Sequence, residues 1–104
     1  MISGIFVQRT DWNGITVEIS YEPQWLNMTD LAGEAMAHLA IRSVAPERAP
    51  LPITETGYLS HFVLASDVIK QGGAITYVRA WLDSMAASKI WKDQQEVARQ
   101  MSFF

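Results

Sequence analysis

The stretch that decides the fold reads Trp12-Asn13-Gly14-Ile15-Thr16-Val17-Glu18-Ile19-Ser20-Tyr21. From Ile15 onward it alternates apolar and polar residues without a break, which is the pattern of a strand with one buried face. Asn13 and Gly14 come just before, and both tolerate the positive φ angles that a two-residue type I′ turn requires. The sequence therefore predicts a β-hairpin that turns at Asn13-Gly14, with Ile15, Val17 and Ile19 facing the core.

A turn at Asn13-Gly14 also predicts which residues of the two strands lie opposite each other. The expected pairs are Trp12 with Ile15, Thr10 with Val17, Phe6 with Tyr21 and Arg9 with Glu18. This register puts apolar residues beside apolar residues on one face and pairs opposite charges on the other face. Two independent signals, the turn and the alternation, thus agree on one hairpin.

Downstream of the hairpin, two more strands are predicted, at Met36–Val44 and Gly57–Leu64. The second has apolar residues on both faces, which indicates a central or well-covered strand. Thr29 or Asp30 is a candidate N-cap for a short helix over Leu31–Ala35. The segment 45–56 contains three prolines, and proline cannot donate to a sheet ladder, so this segment is predicted to be an extended surface connection.

The last third of the chain is predicted to be helical. Ser66 would cap a short helix that ends at Gly72-Gly73, and Ser88 would cap the last helix. The inner stripe of the middle helix would be Ile75, Val78, Trp81, Leu82 and Met85, and that of the last helix Ile90, Trp91, Gln94, Val97, Ala98 and Met101. The predicted fold is a single α+β domain over residues 1–104, in which C-terminal helices pack on one face of a three- or four-stranded antiparallel sheet.

Composition narrows the function classes. The 104 residues are 49% hydrophobic and 18% charged and contain no cysteine, which suits one globular domain and excludes disulfide, iron–sulfur and thiolate zinc sites. The net charge of −3 and the scattered cations disfavour direct binding of nucleic acid. Without a signal peptide or an apolar run of about 20 residues, the chain is expected to be cytoplasmic and not to bind membrane.

No catalytic or metal-binding motif stands out in the sequence. The only histidines, His38 and His61, lie in predicted strands without a second ligand at metal spacing. We therefore expect no enzyme activity, no metal and no cofactor. A small enzyme or ligand binder that uses Glu55, Tyr58 and His61 near the proline-rich segment is an alternative.

The segment Pro50–Phe62, which reads PLPITETGYLSHF, resembles a stretch in small uncharacterised proteins of bacterial plasmids, phages and integrative elements. The resemblance implies a mobile genetic element as the genomic setting and no particular activity. A recognition loop within this segment would comprise Thr54, Glu55, Tyr58 and His61. The favoured interpretation is a tight turn, in which Gly57 has a positive φ and threonine hydroxyls bond the local backbone.

The last five residues, Gln100-Met101-Ser102-Phe103-Phe104, resemble the pentapeptide with which bacterial proteins bind the replication sliding clamp. The resemblance implies that the Gln100 amide bonds the rim of a pocket while the apolar side chains fill it. The structural alternative is that Phe103 and Phe104 fold back onto the sheet and close the core, since two exposed terminal phenylalanines would form an unusual apolar patch.

Together these patterns favour a non-enzymatic protein–protein interaction protein of a mobile element, with the sliding clamp as its candidate partner. An anti-defence inhibitor, of the anti-CRISPR or anti-restriction class, is the first alternative, because small size and acidic charge suit it too. A homo-oligomer is also compatible with the apolar C-terminus.

Overall fold

A computed structural model of the protein describes residues 4–25 and 28–101, the last of them by its backbone only. Four strands precede three helices in the order β1 Phe6–Trp12, β2 Ile15–Glu22, β3 Met36–Ala45, β4 Tyr58–Leu64, α1 Ala65–Lys70, α2 Ala74–Ala86 and α3 Lys89–Met101. The strands form one antiparallel sheet in the order β1-β2-β3-β4. The predicted α+β class is therefore confirmed.

The N-terminal hairpin has the predicted turn and register. Asn13 and Gly14 have φ angles of 48° and 80°, and the four predicted residue pairs are all present. Val17 and Ile19 are buried in the core, and Ile15 is half-buried. The hairpin prediction is confirmed because its determinants, the turn residues and the strand alternation, are local in the chain.

The core lies between one face of the sheet, called here the inner face, and helices α1 and α2. Its buried apolar members are Trp12, Val17, Ile19, Ala37, Leu39, Ile41, Leu51, Val63, Val68, Ala74, Val78, Leu82 and Trp91. The indole Nε1 of Trp12 donates a hydrogen bond of 2.8 Å to Asp83, which ties the hairpin to α2. The opposite, outer face of the sheet carries no helix in the described part of the chain.

The predicted helix over Leu31–Ala35 is wrong. Residues 30–34 form a turn closed by a bridge between Thr29 and Ala35. The Asp30 carboxylate accepts hydrogen bonds from the backbone N–H groups of Ala32 and Glu34, each 2.9 Å long. A short acidic side chain that accepts hydrogen bonds from nearby backbone N–H groups competes with helix formation, and here these bonds stabilise the turn.

Strand β4 is an edge strand, which corrects the prediction of a central or well-covered one. Its outer-face residues Tyr58 and Phe62 are 51% and 48% exposed. Strand order follows chain order, so the last strand has a neighbour on one side only. Apolar residues on both faces of β4 therefore do not indicate burial on both faces.

The proline-rich segment is a packed loop and not an extended connection. Two isolated bridges, Val44 with Glu47 and Leu51 with Thr54, fold it into tight turns. Leu51 is buried in the core, and the buried Ser43 hydroxyl donates a 2.7 Å hydrogen bond to the Ala49 carbonyl. The loop thus packs against the end of the sheet.

The observed helix ends match the predicted ones only in part. Ser88 caps α3 as predicted, because its Oγ accepts a 3.2 Å hydrogen bond from the Trp91 backbone N–H. Ser66 does not cap α1, since Leu64 holds the N-cap position and the Ser66 hydroxyl donates to Glu34 instead. Gly72-Gly73 follows α1 as predicted, with both φ angles positive.

Candidate functional site

The residues of the predicted recognition loop do not converge on one centre. Tyr58 lies on the outer face of the sheet, whereas His61 lies on the inner face against α2. Residues three apart in a strand point to opposite faces, which accounts for this separation. Glu55 lies at a third place, where its carboxylate accepts a 3.2 Å hydrogen bond from the Gln94 amide of α3.

The segment before β4 has the tight turn that the sequence favoured. Gly57 has a φ of 77°. The Thr54 and Thr56 hydroxyls donate hydrogen bonds of 2.8 and 3.3 Å to the Tyr58 carbonyl. Both the positive φ and the local threonine hydrogen bonds are therefore confirmed.

His61 is enclosed by aromatic rings on the inner face. Its ring centroid lies 4.5 Å from that of Trp81 and 6.4 Å from that of Tyr77. Burial, which disfavours the charged imidazolium, lowers the pKa of His61, and the positive charge of His38 lowers it further. The half-buried His61 is thus held in its neutral form at neutral pH.

We expect the NMR titration of His61 to have its midpoint below the ordinary value of 6.5. A depressed pKa in the folded state means that the unfolded chain binds the proton first as the pH falls. The contribution of His61 to stability is therefore complete above pH 6.5 and is lost as the pH falls through the lowered pKa. Trp81→Ala should move the midpoint upward by exposing the ring, and a midpoint at or above 6.5 in the parent would contradict the argument.

His38 forms the one contact between a histidine and a serine that the described residues contain. Its Nε2 lies 2.6 Å from the Ser60 hydroxyl on the outer face. The His38 ring also belongs to an aromatic cluster with Trp25 and Phe62, whose ring centroids lie 4.7 Å apart. Within the described part of the chain His38 has no hydrogen bond to a carboxylate, which an activated serine–histidine pair would need for orientation.

Among residues 4–25 and 28–101, no group of three or more histidine and acidic side chains lies close enough together to hold a metal ion. In the same ranges, no helix has the length and apolar character needed to cross a bilayer.

Helix α3 leaves the core after its first turn. Trp91 is buried against Trp12, with ring centroids 6.4 Å apart, whereas every residue from Lys92 to Gln100 is exposed. Ile90 and Val97 are 72% and 55% exposed. Among the described side chains of the α3 stripe, the predicted burial is therefore wrong for all but Trp91, because only Trp91 packs into the core.

The C-terminal pentapeptide is described only at its start. Gln100 is exposed on the last turn of α3, and its amide donates a 3.4 Å hydrogen bond to Glu96. The backbone of Met101 ends the helix. Residues 102–104, with the predicted anchors Phe103 and Phe104, lie outside the described residues.

A groove opens where the outer face meets the proline-rich loop. It has a volume of about 580 Å³ and is lined by Arg42, Ser43, Val44, Glu47, Arg48, Thr56, Gly57 and Tyr58. We refer to it as the Arg42–Arg48 groove. The sequence did not signal it, because its two cations come from a strand and a loop and appear in no motif.

Comparison with protein families matches residues 6–91 to the KlcB third domain. The match begins at the first residue of β1 and ends at Trp91, the residue that anchors α3 to the core. No curated protein and no solved structure matches the chain. The family match is consistent with a plasmid-associated protein. Since the match includes the whole sheet and both packed helices, the chain belongs to the KlcB third domain family.

Proposed function

We propose that the chain is a non-enzymatic protein-interaction domain whose partner-binding segment is α3 and the residues that follow it to Phe104. One observation carries the proposal: α3 exposes the apolar side chains of Ile90 and Val97, one on each side of the anchor Trp91. Ile90 and Val97 are seven residues apart, so they lie on the same face of the helix. Exposed apolar residues on one face are what a helix needs to dock into a groove of a partner.

The exposed part of α3 is stabilised by its own polar contacts. Lys89 and Asp93 form an ion pair of 2.6 Å, and a second pair joins Arg99 to Glu96. Ion pairs at such spacings stabilise an exposed helix modestly, by about 0.2–0.5 kcal/mol each. These pairs favour the helical form of the segment, in which its apolar residues are uncovered and available to a partner.

The resemblance of Gln100–Phe104 to the clamp-binding pentapeptide identifies the candidate partner as the replication sliding clamp. The exposed Gln100 at the end of α3 is compatible with a free motif, because its contact with Glu96 is long and lies at the surface. A short terminal segment can enter a pocket while the domain stays folded, since few contacts hold a chain end.

The test is a binding measurement with purified sliding clamp and a variant that combines Met101→Ala, Phe103→Ala and Phe104→Ala. We expect this variant to lose about a hundredfold or more in affinity, because anchors of this kind concentrate binding energy. Its thermal melting temperature should stay at the parental value. Ile69→Ala is the matched control, since Ile69 is an exposed apolar residue on α1.

Two results would contradict the clamp proposal. One is a parent chain that does not bind the clamp. The other is a triple variant that loses several kcal/mol of stability, because that loss would place the phenylalanines in the core.

Light scattering tests whether the partner of α3 is a second copy of the chain. A dimer that dissociates in the double variant Ile90→Ser, Val97→Ser would assign the α3 face to self-association and not to the clamp.

A further inference from the structure

We propose that the Arg42–Arg48 groove is a second binding site, which takes a carboxylate group of an acidic peptide segment. The site lies on the outer face of the sheet and does not depend on α3. Its lining charges are two arginines and Glu47, so the groove is positive in a chain whose net charge is −3. The proposal rests on how each arginine is held and on which of its donors remain unused.

Arg42 is positioned by Glu18 and keeps most of its donors. One oxygen of the Glu18 carboxylate accepts a 3.0 Å hydrogen bond from Nε of Arg9 and lies 2.9 Å from Nη2 of the same arginine as an ion pair. The other oxygen accepts a 2.8 Å hydrogen bond from Nη2 of Arg42. A guanidinium has five N–H donors, and no other hydrogen bond of the Arg42 side chain is found among the described residues. The remaining donors of Arg42 are therefore available to a ligand.

The charge on Glu18 is itself secured by this arrangement. Hydrogen bonds from Arg9 and then Arg42 lower the pKa of Glu18, so the carboxylate stays ionised at neutral pH. Because Arg9 makes two of the three contacts, Glu18 remains paired if Arg42 also bonds a ligand. A second carboxylate can thus approach Arg42 without leaving Glu18 unpaired.

Arg48 is presented by a backbone that cannot easily move. Its φ is 62°, its backbone N–H donates a 3.2 Å hydrogen bond to the Ser43 carbonyl, and Gly57 packs directly on its Cα. The left-handed conformation is uncommon for an arginine. The Arg48 side chain is exposed and makes no ion pair or hydrogen bond within residues 4–25 and 28–101. It is the unpaired cation of the groove.

The size and charge of the groove favour a carboxylate over a polyanion. A volume of about 580 Å³ falls within the usual range for small ligand sites. The planar guanidinium fork matches a carboxylate in a bidentate manner, and the half-exposed ring of Tyr58 offers an apolar wall to the stem of a glutamate or aspartate. A protein that binds nucleic acid needs many cations to neutralise the phosphate backbone. This groove has only two arginines, and the negative charge of Glu47 lies beside them, so it does not suit nucleic acid.

The experiment titrates the ¹⁵N-labelled chain with a hexaglutamate peptide and follows the amide signals of Ser43, Arg48 and Gly57. We expect saturable shifts at these three positions. Arg48→Asn should weaken peptide binding by about tenfold or more, because it removes the positive charge that would bond the carboxylate of the peptide. Asparagine is chosen because it tolerates a positive φ. Lys70→Asn is the matched control, since it removes one exposed positive charge that does not line the groove.

Three outcomes would overturn the proposal. The first is an equal loss of affinity in Arg48→Asn and Lys70→Asn, which would mean non-specific attraction. The second is binding of inorganic phosphate or an oligothymidylate as tightly as hexaglutamate, which would assign the groove to phosphate groups. The third is shifts that avoid the groove. If Arg48→Asn does not give a folded spectrum, Arg42→Gln takes its place, with the same expected loss.

Discussion

Replacing Gly57 with alanine should lower the free energy of unfolding by about 2–5 kcal/mol. An added Cβ would lie 2.7 Å from both Cα and the carbonyl carbon of Arg48 and 2.9 Å from the Ala49 carbonyl oxygen. These neighbours are backbone atoms, which cannot rotate away as a side chain can. The φ of 77° adds the conformational strain that alanine meets in the left-handed region.

Gly33→Ala is the matched control for this prediction. Gly33 has a similar φ of 82°, but an added Cβ there meets no described atom within 4 Å. It should therefore cost only the conformational strain, about 1–2 kcal/mol. Denaturant unfolding of both variants measures the difference, and equal losses would show that the close contact of Gly57 with the Arg48 backbone contributes nothing.

Leu82→Ala should destabilise the domain by about 2–5 kcal/mol, whereas Met85→Ala should cost less than about 1 kcal/mol. The two residues belong to the same predicted stripe of α2, yet Leu82 is fully buried and Met85 is 40% exposed. Truncating Leu82 leaves a cavity in the core, and truncating Met85 mainly changes surface. The predicted burial of Met85 with Trp81 and Leu82 is thus corrected: Leu82 is buried, Trp81 half-buried and Met85 exposed.

Denaturant unfolding of the two α2 variants tests this assignment. If Met85→Ala destabilises the domain as much as Leu82→Ala, α2 is rotated relative to the sheet and the whole inner face must be reassigned. The NMR signal of the Trp81 indole N–H tests the same assignment, because the Trp81 ring packs at a tilted angle on His61, with ring centroids 4.5 Å apart.

Features whose physical causes lie within a few residues along the chain could be predicted from the sequence. The Asn13-Gly14 turn and the alternation after it specify the hairpin, its register and the contact between Arg9 and Glu18. Ser88 caps α3 and Gly57 has a positive φ for equally local reasons, namely a hydroxyl beside free N–H groups and a turn that only glycine enters easily.

The predictions failed where one local sequence pattern fits two different structures. Asp30 near a short apolar stretch suits both a helix cap and a turn, and the carboxylate bonds the turn. Apolar residues on both faces of a strand suit both a central strand and an edge strand with an exposed outer face. An apolar stripe on a helix, as in α3, indicates a face that is suited to packing. The stripe does not indicate whether that face packs on the core or on a partner.

Contacts between residues far apart in the chain follow from the three-dimensional fold and could not be predicted from local patterns. It placed β4 at an edge, packed His61 against Trp81 of α2, and brought Trp91 onto Trp12 so that α3 projects from the core. It also made the Arg42–Arg48 groove from a strand, a loop and a glycine turn. The physical reason is that burial depends on the sum of contacts from all elements, whereas periodicity and turn chemistry report only the neighbours along the chain.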